Sequence, residues 1–447
     1  MPRWQSVLLL QCSLRFCLQY LSLFCTFACY FLLSTMNFLH TADWHLGQSF
    51  YQYDRYEEHA FFLNELLQIL EKEKTDVLLI SGDVFDTAQP TASSTRQFYQ
   101  FLQQATQRFP SLQIIAIAGN HDSPVRLEMP TPLLEDTSIH LVGYVKHLGN
   151  RQIDYQRLII PLYENEEVVA YCLAVPFLRL GDTPKTEEGN NDYGQGVAAF
   201  YKALTAEAVT IANGKPLIAM GHLHAAGAAT NEEDTAERPI IGGIESVQAS
   251  HFPEALQYVA LGHIHKAQAV ADKQHIRYSG SPLPLSFAER RYPHQVVCFS
   301  LVAGNVQDIR SVALPLHTSL LSIPDHYGTA EEALNALSEL ADVQPTLPAP
   351  FLEVKIALDS PQPQLKNRIQ EAVAQKHVRL ARIDVRYKQA NSSSDESQWL
   401  PELALQHLQP LEVLKRVYEQ QFAAPLPTRY VQLFEEAQRA CEMADKT

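Results

Sequence analysis

Residues 37–122 alternate between two hydrophobic periods. Apolar runs of strand length lie at 38–42, 77–81 and 114–118. Between them, at 56–70 and 95–109, apolar residues such as Phe62, Leu66 and Ile69 recur at helical spacing. The resulting β-α-β-α-β order predicts parallel strands with helices packed on the sheet.

Between residues 139 and 301 the pattern changes to short apolar strands. They are predicted at 139–142, 168–174, 217–220, 258–261, 276–279 and 296–301, with polar loops at 181–196 and 227–240. Together the two patterns predict an α/β fold, in which a sandwich of two mixed sheets is flanked by helices.

After residue 315 a separate pattern begins. A strand at Phe351–Leu358, a helix at Gln364–Gln375 and a strand at Val378–Tyr387 predict a small α/β cap domain. A polar linker at 390–398 precedes two predicted helices at 411–422 and 430–443. The apolar stripe of the second helix would pack on its own domain or on a partner. The expected domains are 36–315, 316–390 and 391–447.

The first 35 residues form an apolar extension, in which residues 7–33 carry Arg15 as their one charge. A signal peptide, a membrane anchor and an upstream-extended start are three competing interpretations. A strand follows Met36 at once and runs to Asp43, which favours the third. We therefore expect residues 1–35 not to be part of the working protein.

Composition and charge narrow the function classes. The formal net charge of −15 over 447 residues argues against a protein that coats nucleic acid non-specifically. Four of the seven cysteines lie in the apolar extension, and the remainder of the chain has no CxxC pair. This cysteine usage predicts a reducing compartment. We expect the cytoplasm, without stable membrane association.

Five short polar motifs carry the candidate chemistry. Most follow an apolar run, at the strand end where an α/β fold places its active site. Each alone is typical of a turn, but five in this order predict one two-metal site. They are Asp43-Trp44-His45, Gly82-Asp83-Val84-Phe85-Asp86, Gly119-Asn120-His121-Asp122, Gly221-His222 and Gly262-His263-Ile264-His265.

Two adjacent divalent metals need a carboxylate that bridges them, and Asp83 is the candidate. Asp43 and His45 are two residues apart on an extended segment, so both side chains can face one metal. His263 and His265 have the same spacing and could serve one metal or diverge to two.

The remaining motif residues suit hydrolysis of a phosphate ester. Asn120 offers a neutral oxygen, and nitrogen and oxygen ligands without sulfur favour Mn, Fe or Zn. His121 is the candidate general acid, and Asp86 is expected to accept a hydrogen bond from it and hold it charged. His222 could instead belong to an ordinary loop with His224, which is not expected to be a ligand.

Together the five motifs resemble those of the calcineurin-like metallophosphoesterases. Residues 40–47, 82–87 and 278–282 narrow the resemblance to the SbcD family of nuclease subunits, over residues 36 to 445. It implies two divalent ions, usually Mn²⁺ with Mg²⁺, Fe or Zn possible, and His121 as the catalytic acid. The implied ligands are Asp43, His45, Asp83 and His265 for one metal and Asp83, Asn120, His222 and His263 for the other.

The resemblance also implies activity and partners. Members act as 3′–5′ exonucleases on double-stranded DNA and as endonucleases on single strands or hairpins, in DNA repair, recombination and replication. The duplex activity depends on ATP hydrolysed by an SbcC-type ABC ATPase, and this chain has no GxxxxGK[ST] loop of its own. A homodimer within a heterotetramer is expected, with dimer contacts near 55–109, a DNA-facing cap and C-terminal helices that grip the ATPase.

Three alternatives stay open at this point. The metal motifs also suit a phosphoesterase acting on small phosphodiesters or phosphoproteins. A non-catalytic scaffold that binds DNA ends or a partner ATPase is the second alternative. The cap domain is also rich in basic residues, which either contact DNA or form an ordinary solvated face. If it contacts DNA, charge reversal at Arg382 and Arg386 weakens binding to duplex ends and reduces its salt dependence. The cap cations are Lys355, Lys366, Arg368, Lys376, Arg379, Arg382, Arg386 and Lys388.

Overall fold

The fold is taken from a computed structural model that describes residues 35–149, 152–179, 181–184, 193–225, 247–342 and 348–387, and scattered positions within 411–434. The chain divides after His317 into two compact units. The apolar extension up to residue 34, the predicted loop at 227–240, the linker at 390–398 and much of the predicted C-terminal helices lie outside the described residues.

The first unit contains two six-stranded mixed sheets and a short hairpin. In chain order its elements are β1 (Thr35–Thr41), β2 (Ser49–Phe50), β3 (Tyr53–Asp54), α1 (Tyr56–Lys72), β4 (Val77–Ser81), α2 (Ala92–Arg108), β5 (Gln113–Ile117), α3 (Pro124–Glu128), α4 (Thr131–Leu134), β6 (Ile139–Val142), β7 (Ile159–Glu164), β8 (Glu167–Ala174), α5 (Tyr193–Ala212), β9 (Leu217–His222), β10 (Leu256–Gly262), β11 (Gln268–Val270), β12 (Lys273–Tyr278), β13 (Gln295–Val302) and β14 (Asn305–Ala313).

The first sheet has the order β14-β13-β1-β4-β5-β6, and the second has β11-β12-β10-β9-β8-β7. In the first, β1, β4, β5 and β6 are parallel, and β13 and β14 are antiparallel additions. In the second, β8, β9, β10 and β12 are parallel. The predicted α/β sandwich of two mixed sheets is therefore confirmed.

Successive side chains of the central strands β1 and β4 point alternately into two separate hydrophobic cores. Phe38 and Val77 point into the core that the two sheets share, and Leu39 and Leu78 point to the opposite face. That opposite face is covered by the apolar sides of α1 and α2. Because both faces of these strands are buried, their sequences are continuous apolar runs without polar alternation.

A buried histidine joins the two sheets. His40 in β1 lies 3.2 Å from the carbonyl oxygen of Leu261 through Nε2 and 3.1 Å from the Tyr258 hydroxyl through Nδ1. Burial lowers the pKa of His40 to about 3, so the ring is neutral. It therefore donates to the carbonyl and accepts from the hydroxyl, which fixes the end of β1 against β10.

One predicted loop is wrong at its C-terminal end. The loop expected at 181–196 gives way to α5, which begins at Tyr193. The Tyr193 hydroxyl donates to the carbonyl of Leu178, and Val197 and Phe200 are fully buried. These apolar contacts begin the helix inside a stretch whose composition is typical of a loop.

The second unit is a three-stranded parallel sheet with two helices. Its elements are β15 (Leu320–Gly328), α6 (Ala330–Ser338), β16 (Phe351–Leu358), α7 (Leu365–Val373) and β17 (Arg379–Tyr387), in the sheet order β15-β16-β17. The helices and the sheet share one core that includes Leu352, Val354 and Ile356 of the central strand. Helix α6 begins with a reciprocal pair, in which Thr329 and Glu332 cap each other's backbone nitrogens.

The opposite side of this small sheet, called the polar face, carries paired charges. The Glu353 carboxylate lies 3.5 Å from Lys355 Nζ and 3.4 Å from Arg382 Nη1. Arg382 also lies 3.1 Å from Asp384. The Arg386 guanidinium stands 4.0 Å from the centre of the Tyr327 ring. The polar face consists of Ser322, Tyr327, Glu353, Lys355, Arg382, Asp384 and Arg386.

Positions described within 411–434 are mainly helical, and the Phe422 ring lies 5.2 Å from that of Tyr387 at the end of β17. Among the helices in the described part of the chain, none combines the length and the apolar character needed to cross a membrane.

Candidate metal centre

The five motifs end five parallel strands. Asp43, Asp83 and Asn120 follow β1, β4 and β5 in the first sheet, and His222 and His263 lie at the ends of β9 and β10 in the second. The carboxyl ends of parallel strands meet at one edge, so the topology brings the motifs of each sheet together. Contacts between the sheets then join the two groups.

The backbone turns sharply at the first two motifs. Asp43, His45 and Asp83 have positive φ angles of 55°, 45° and 48°, a region that side chains other than glycine rarely adopt. The nitrogens of Asp43 and His45 donate to the carbonyls of Gly82 and Asp83, each at 3.0 Å. These bonds hold a conformation that costs on the order of 1–3 kcal/mol per residue, which is typical of functional sites.

Two glycines allow the strand ends to approach closely. A Cβ atom on Gly119 would lie 2.1 Å from the Asp83 carboxylate, and one on Gly262 would lie 2.0 Å from the carbonyl oxygen of Ser81. Any larger residue would push the motifs apart. The glycine that precedes each polar residue in these two motifs is therefore required by packing at the site.

The first cluster consists of Asp43, His45 and His265, whose ligand atoms all lie within 4.8 Å of one another. The other Asp43 oxygen, Oδ1, accepts from the backbone nitrogen of His263 at 2.9 Å. Within the described residues, no hydrogen-bond partner exists for Asp43 Oδ2 or for His45 Nε2, although both atoms are buried. Unsatisfied buried polar atoms are costly, and a cation held between them would satisfy both.

The second cluster consists of Asp83, Asn120, His222 and His263. Asn120 Oδ1 lies 2.9 Å from His222 Nε2 and 3.1 Å from His263 Nδ1. Asp83 Oδ2 lies 3.3 Å from the same His222 nitrogen and 3.6 Å from His45 Nε2 of the first cluster. One oxygen of Asp83 therefore faces both clusters, which is the geometry that a bridging ligand needs.

Three of the four imidazoles are oriented by an oxygen on their Nδ1 side. Such a contact leaves Nε2 as the atom that faces inward, the usual arrangement around histidine ligands. The contacts are His45 with Asp86 Oδ1 at 3.2 Å, His222 with the Ser81 carbonyl at 2.9 Å and His265 with Glu289 Oε1 at 2.9 Å.

The structure corrects the expected contact between His121 and the Asp86 carboxylate. His121 Nδ1 lies 2.8 Å from the main-chain carbonyl of Asp86, and the Asp86 carboxylate faces His45. The reason is that the Asp86 nitrogen donates to the carbonyl of Leu46 at 3.3 Å, so the two motif segments run side by side. The His121 nitrogen donates to Asp83 Oδ1 at 2.8 Å, which places its ring beside the bridging carboxylate.

The pKa values of His222 and His121 are shifted in opposite directions. Burial by itself lowers the pKa of His222, but the carboxylates of Asp83 and Asp43 raise it to about 9. Burial lowers the pKa of His121 against the opposing effect of Asp83, so His121 is not held charged as expected. A cation between Asp83 and His222 would take the place of the His222 proton, so metal binding would release that proton.

Sequence reasoning missed the role of Asp122. Its carboxylate accepts from the nitrogens of Gly119 and Phe85 at 2.8 Å and of Val84 at 3.1 Å, which ties two ligand loops together. Burial and the nearby Asp83 raise the pKa of Asp122 to about 6. The sequence signal that could have indicated this role is the position of Asp122 directly after His121 in the motif.

Sequence reasoning also missed Glu289, which is fully buried and contacts His265. Burial alone raises the pKa of Glu289, but the charge and hydrogen bond of His265 lower it below its usual range. The two residues are 24 positions apart, and Glu289 belongs to none of the five motifs. No spacing rule connects them.

Two family models match the chain. One, described as calcineurin-like phosphoesterase, matches residues 36–267, and the other, described as type 5 capsule protein repressor C-terminal domain, matches residues 317–422. Among similar proteins, the D subunit of the nuclease SbcCD from Rhodobacter capsulatus is 39% identical, covering 78% of this chain and 87% of that protein. The proteins of the same name from Escherichia coli and Bacillus subtilis are 29% and 34% identical, covering 75% and 62% of this chain and 81% and 70% of their own lengths.

Proposed function

The chain belongs to the family of SbcCD nuclease D subunits, within the calcineurin-like phosphoesterases, and is a metal-dependent hydrolytic nuclease, and from this premise we propose its metal ligands, substrate and partners. The observation that carries the assignment is the pair of buried atoms Asp43 Oδ2 and His45 Nε2, which have no hydrogen-bond partner among the described residues. A divalent cation is the simplest group that satisfies both atoms.

The ligand sets follow from the two clusters. Asp43, His45, Asp83 and His265 would hold one ion, and Asp83, Asn120, His222 and His263 would hold the other, with Asp83 shared. Carboxylate, imidazole and amide ligands without sulfur suit Mn²⁺, Fe and Zn. Among these we propose Mn²⁺, the ion that the family resemblance implies, with Mg²⁺, Fe and Zn as alternatives. Two divalent metal ions bound there would supply Lewis-acid activation of the phosphodiester and of the attacking water.

His121 protonates the leaving oxygen. Its Nδ1–H donates to the carbonyl of Asp86 at 2.8 Å, which leaves Nε2 for the substrate. In the imidazolium form Nε2 carries the second proton, which passes to the leaving oxygen. Burial lowers the pKa of His121, so this form is less populated but is a stronger acid. The Asp86 carboxylate acts on the site by orienting His45 rather than by touching His121.

The substrate is DNA, cut as a 3′–5′ exonuclease on duplexes and as an endonuclease on single strands and hairpins. Support comes from the relatives named as D subunits of the nuclease SbcCD, one of which aligns over 78% of this chain. The same name implies assembly with an SbcC-type ATPase, which would supply the ATP hydrolysis. Roles in repair, recombination and replication would follow from this activity.

A homodimer is part of the proposal. Support comes from three strongly exposed apolar side chains on α3, α4 and the turn between them: Val125, Met129 and Leu133 are 71%, 65% and 85% exposed. By contrast, the apolar faces of α1 and α2 are used in the core of their own unit. We therefore propose that α3 and α4 contribute to the dimer contact, in addition to the region expected near 55–109.

One experiment tests the activity. The full chain with its ATPase partner is given ATP, Mn²⁺ and linear duplex labelled at the 3′ end, or hairpin DNA. We expect Mn²⁺-dependent cleavage, and we expect His121→Ala to lower its rate by roughly 10²–10⁴ because the leaving oxygen loses its acid. His147→Ala, which replaces an exposed histidine outside the clusters, is the matched control.

Two outcomes would contradict the proposal. Cleavage by His121→Ala at the wild-type rate removes His121 from the chemistry. Intact DNA together with Mn²⁺-dependent hydrolysis of bis-p-nitrophenyl phosphate would favour the small-diester alternative instead.

A further inference from the structure

Glu289 lies directly behind the first metal cluster. It ends the single turn Phe287–Glu289 in the segment between β12 and β13, and its side chain is fully buried. Burying a carboxylate is costly unless its oxygens are hydrogen-bonded. Its contacts therefore indicate what the carboxylate is for.

The two oxygens of Glu289 have separate partners. Oε2 accepts from the nitrogen of Leu285 at 2.8 Å and lies 3.4 Å from the Ser281 hydroxyl, both in its own loop. Oε1 lies 2.9 Å from Nδ1 of His265. One oxygen thus anchors the carboxylate, and the other contacts the imidazole that closes the first cluster.

The loop that carries Glu289 is held from its other side. Buried Arg55 donates to the carbonyl of Pro284 at 2.8 Å, and Gln48 donates to the carbonyl of Leu285 at 3.1 Å. Arg55 is itself fixed by two hydrogen bonds to Glu58, at 2.9 and 2.7 Å. The position of Glu289 is therefore set by a buried polar scaffold and not by His265 alone.

We propose that Glu289 is a positioning residue that fixes the tautomer and ring orientation of His265. A carboxylate accepts and does not donate when ionised, so His265 must carry its proton on Nδ1. The lone pair of Nε2 is then directed to the side of Asp43 and His45, where the ligand atoms lie within 4.8 Å. The inference rests on the proposed two-metal function, which it deepens by naming a residue that sets the affinity of one metal.

A purely structural role is the competing explanation. In that case Glu289 would only neutralise a buried imidazole and hold its loop, and its loss would lower stability without selecting one metal. Loss of a carboxylate that supports a histidine ligand typically weakens metal binding by about 10–100-fold. A positioning role therefore predicts a loss confined to one of two metal sites.

The test is a Mn²⁺ titration of metal-free full-length protein, followed by calorimetry and by electron paramagnetic resonance. Wild type should bind two ions, with the spectrum of a magnetically coupled pair. Glu289→Gln keeps the shape but has one acceptor oxygen, which the nitrogen of Leu285 requires, so its NH2 group is left facing His265 Nδ1. That arrangement no longer fixes the proton on Nδ1, and we expect one of the two sites to weaken by about tenfold or more. Glu289→Ala should weaken the same site further.

Glu128→Gln is the matched control. Glu128 is another buried carboxylate of the first unit, where it accepts from the nitrogen of Gly143 at 2.7 Å and pairs with Arg157. It should leave both Mn²⁺ affinities and the coupled spectrum unchanged.

The outcomes separate the two claims. Two sites of wild-type affinity in folded Glu289→Gln would overturn the positioning role, and a uniform loss at both sites would do the same. If wild type binds no Mn²⁺ at all, the proposed function fails first. If Glu289→Ala does not fold, the isosteric Gln variant still decides the question.

Discussion

The metal centre and the polar face of the small sheet use the same kinds of residue in opposite ways. At the centre, buried Asp43 and His45 each keep an atom without a hydrogen-bond partner among the described residues. On the polar face, buried Glu353 lies within 3.5 Å of two cationic groups, Lys355 and Arg382. The centre thus holds buried polar atoms that a bound cation would satisfy, while the charges of the polar face satisfy one another.

The contrast separates residues that form a functional site from residues that stabilise the fold. Titratable groups that are held close together despite desolvation and backbone strain indicate a functional site, because such an arrangement costs stability. Groups that compensate one another mark stability or specificity of packing. Three variants, the last of them a double substitution, test the contrast in order of expected effect.

The largest effect is expected for Asp83→Asn. The amide keeps the shape and the acceptor for the His121 nitrogen, bonded at 2.8 Å, but it is a poor bridging ligand. We expect loss of at least one metal and a fall in DNA cleavage of about 10³-fold or more, since bridging and charge each contribute several kcal/mol. Cleavage rates and Mn²⁺ titration give the measurement.

Asp384→Asn is the matched control for that substitution. Asp384 belongs to the polar face, where it contacts Tyr327 and Arg382. Its replacement should leave Mn²⁺ affinity unchanged. Equal losses of metal in both variants would show that the contrast between the regions does not hold.

Much of the centre was predictable from sequence for a topological reason. Apolar runs such as 77–81 end directly at a ligand, and parallel strands bring their carboxyl ends to one edge. Glycines before Asn120 and His263 are required where strand ends pack closely. At these positions the apolar runs and glycines of the sequence therefore predict correctly where the strand ends meet in the fold.

Contacts made by distant loops were not predictable. The Asp86 carboxylate turns to His45 because of a backbone bond to Leu46, which no spacing reveals. Glu289 approaches His265 through a loop held by Arg55. Strand β14 also escaped prediction, because it is an edge strand that is largely exposed and so lacks an apolar run.

An intermediate effect is expected for Glu353→Ala. The side chain is 2% exposed and accepts from the Ser322 hydroxyl at 2.8 Å, so its removal takes this acceptor from that hydroxyl and from Lys355. Arg382 loses one of its two carboxylate contacts and keeps the one with Asp384. We expect a loss of about 2 kcal/mol, below the usual figure for a buried pair because Arg382 is 42% exposed. Urea unfolding combined with hydrogen exchange on β16 and β17 measures it.

Asp342→Ala controls for charge removal in the same unit. Its carboxylate pairs with Lys376 at 3.2 Å but is 85% exposed, and an exposed pair contributes about 0–1 kcal/mol. Mn²⁺ binding should be unchanged in both variants. A metal defect in Glu353→Ala would mean that the polar face does more than stabilise its own unit.

The smallest effect is expected for Arg382→Gln combined with Arg386→Gln, which tests DNA contact by the polar face. A neutral residue avoids placing like charges beside Glu353 and Asp384. An arginine that contacts a phosphate contributes about 0.9 to the slope of log affinity against log salt. Because Arg382 is paired with two carboxylates and Arg386 stacks on Tyr327, we expect affinity for duplex ends to fall about threefold at most and the slope to change by less than one. A slope reduced by nearly two would show that both arginines leave these contacts for phosphates, so the compensated charges of the polar face would be a DNA site after all.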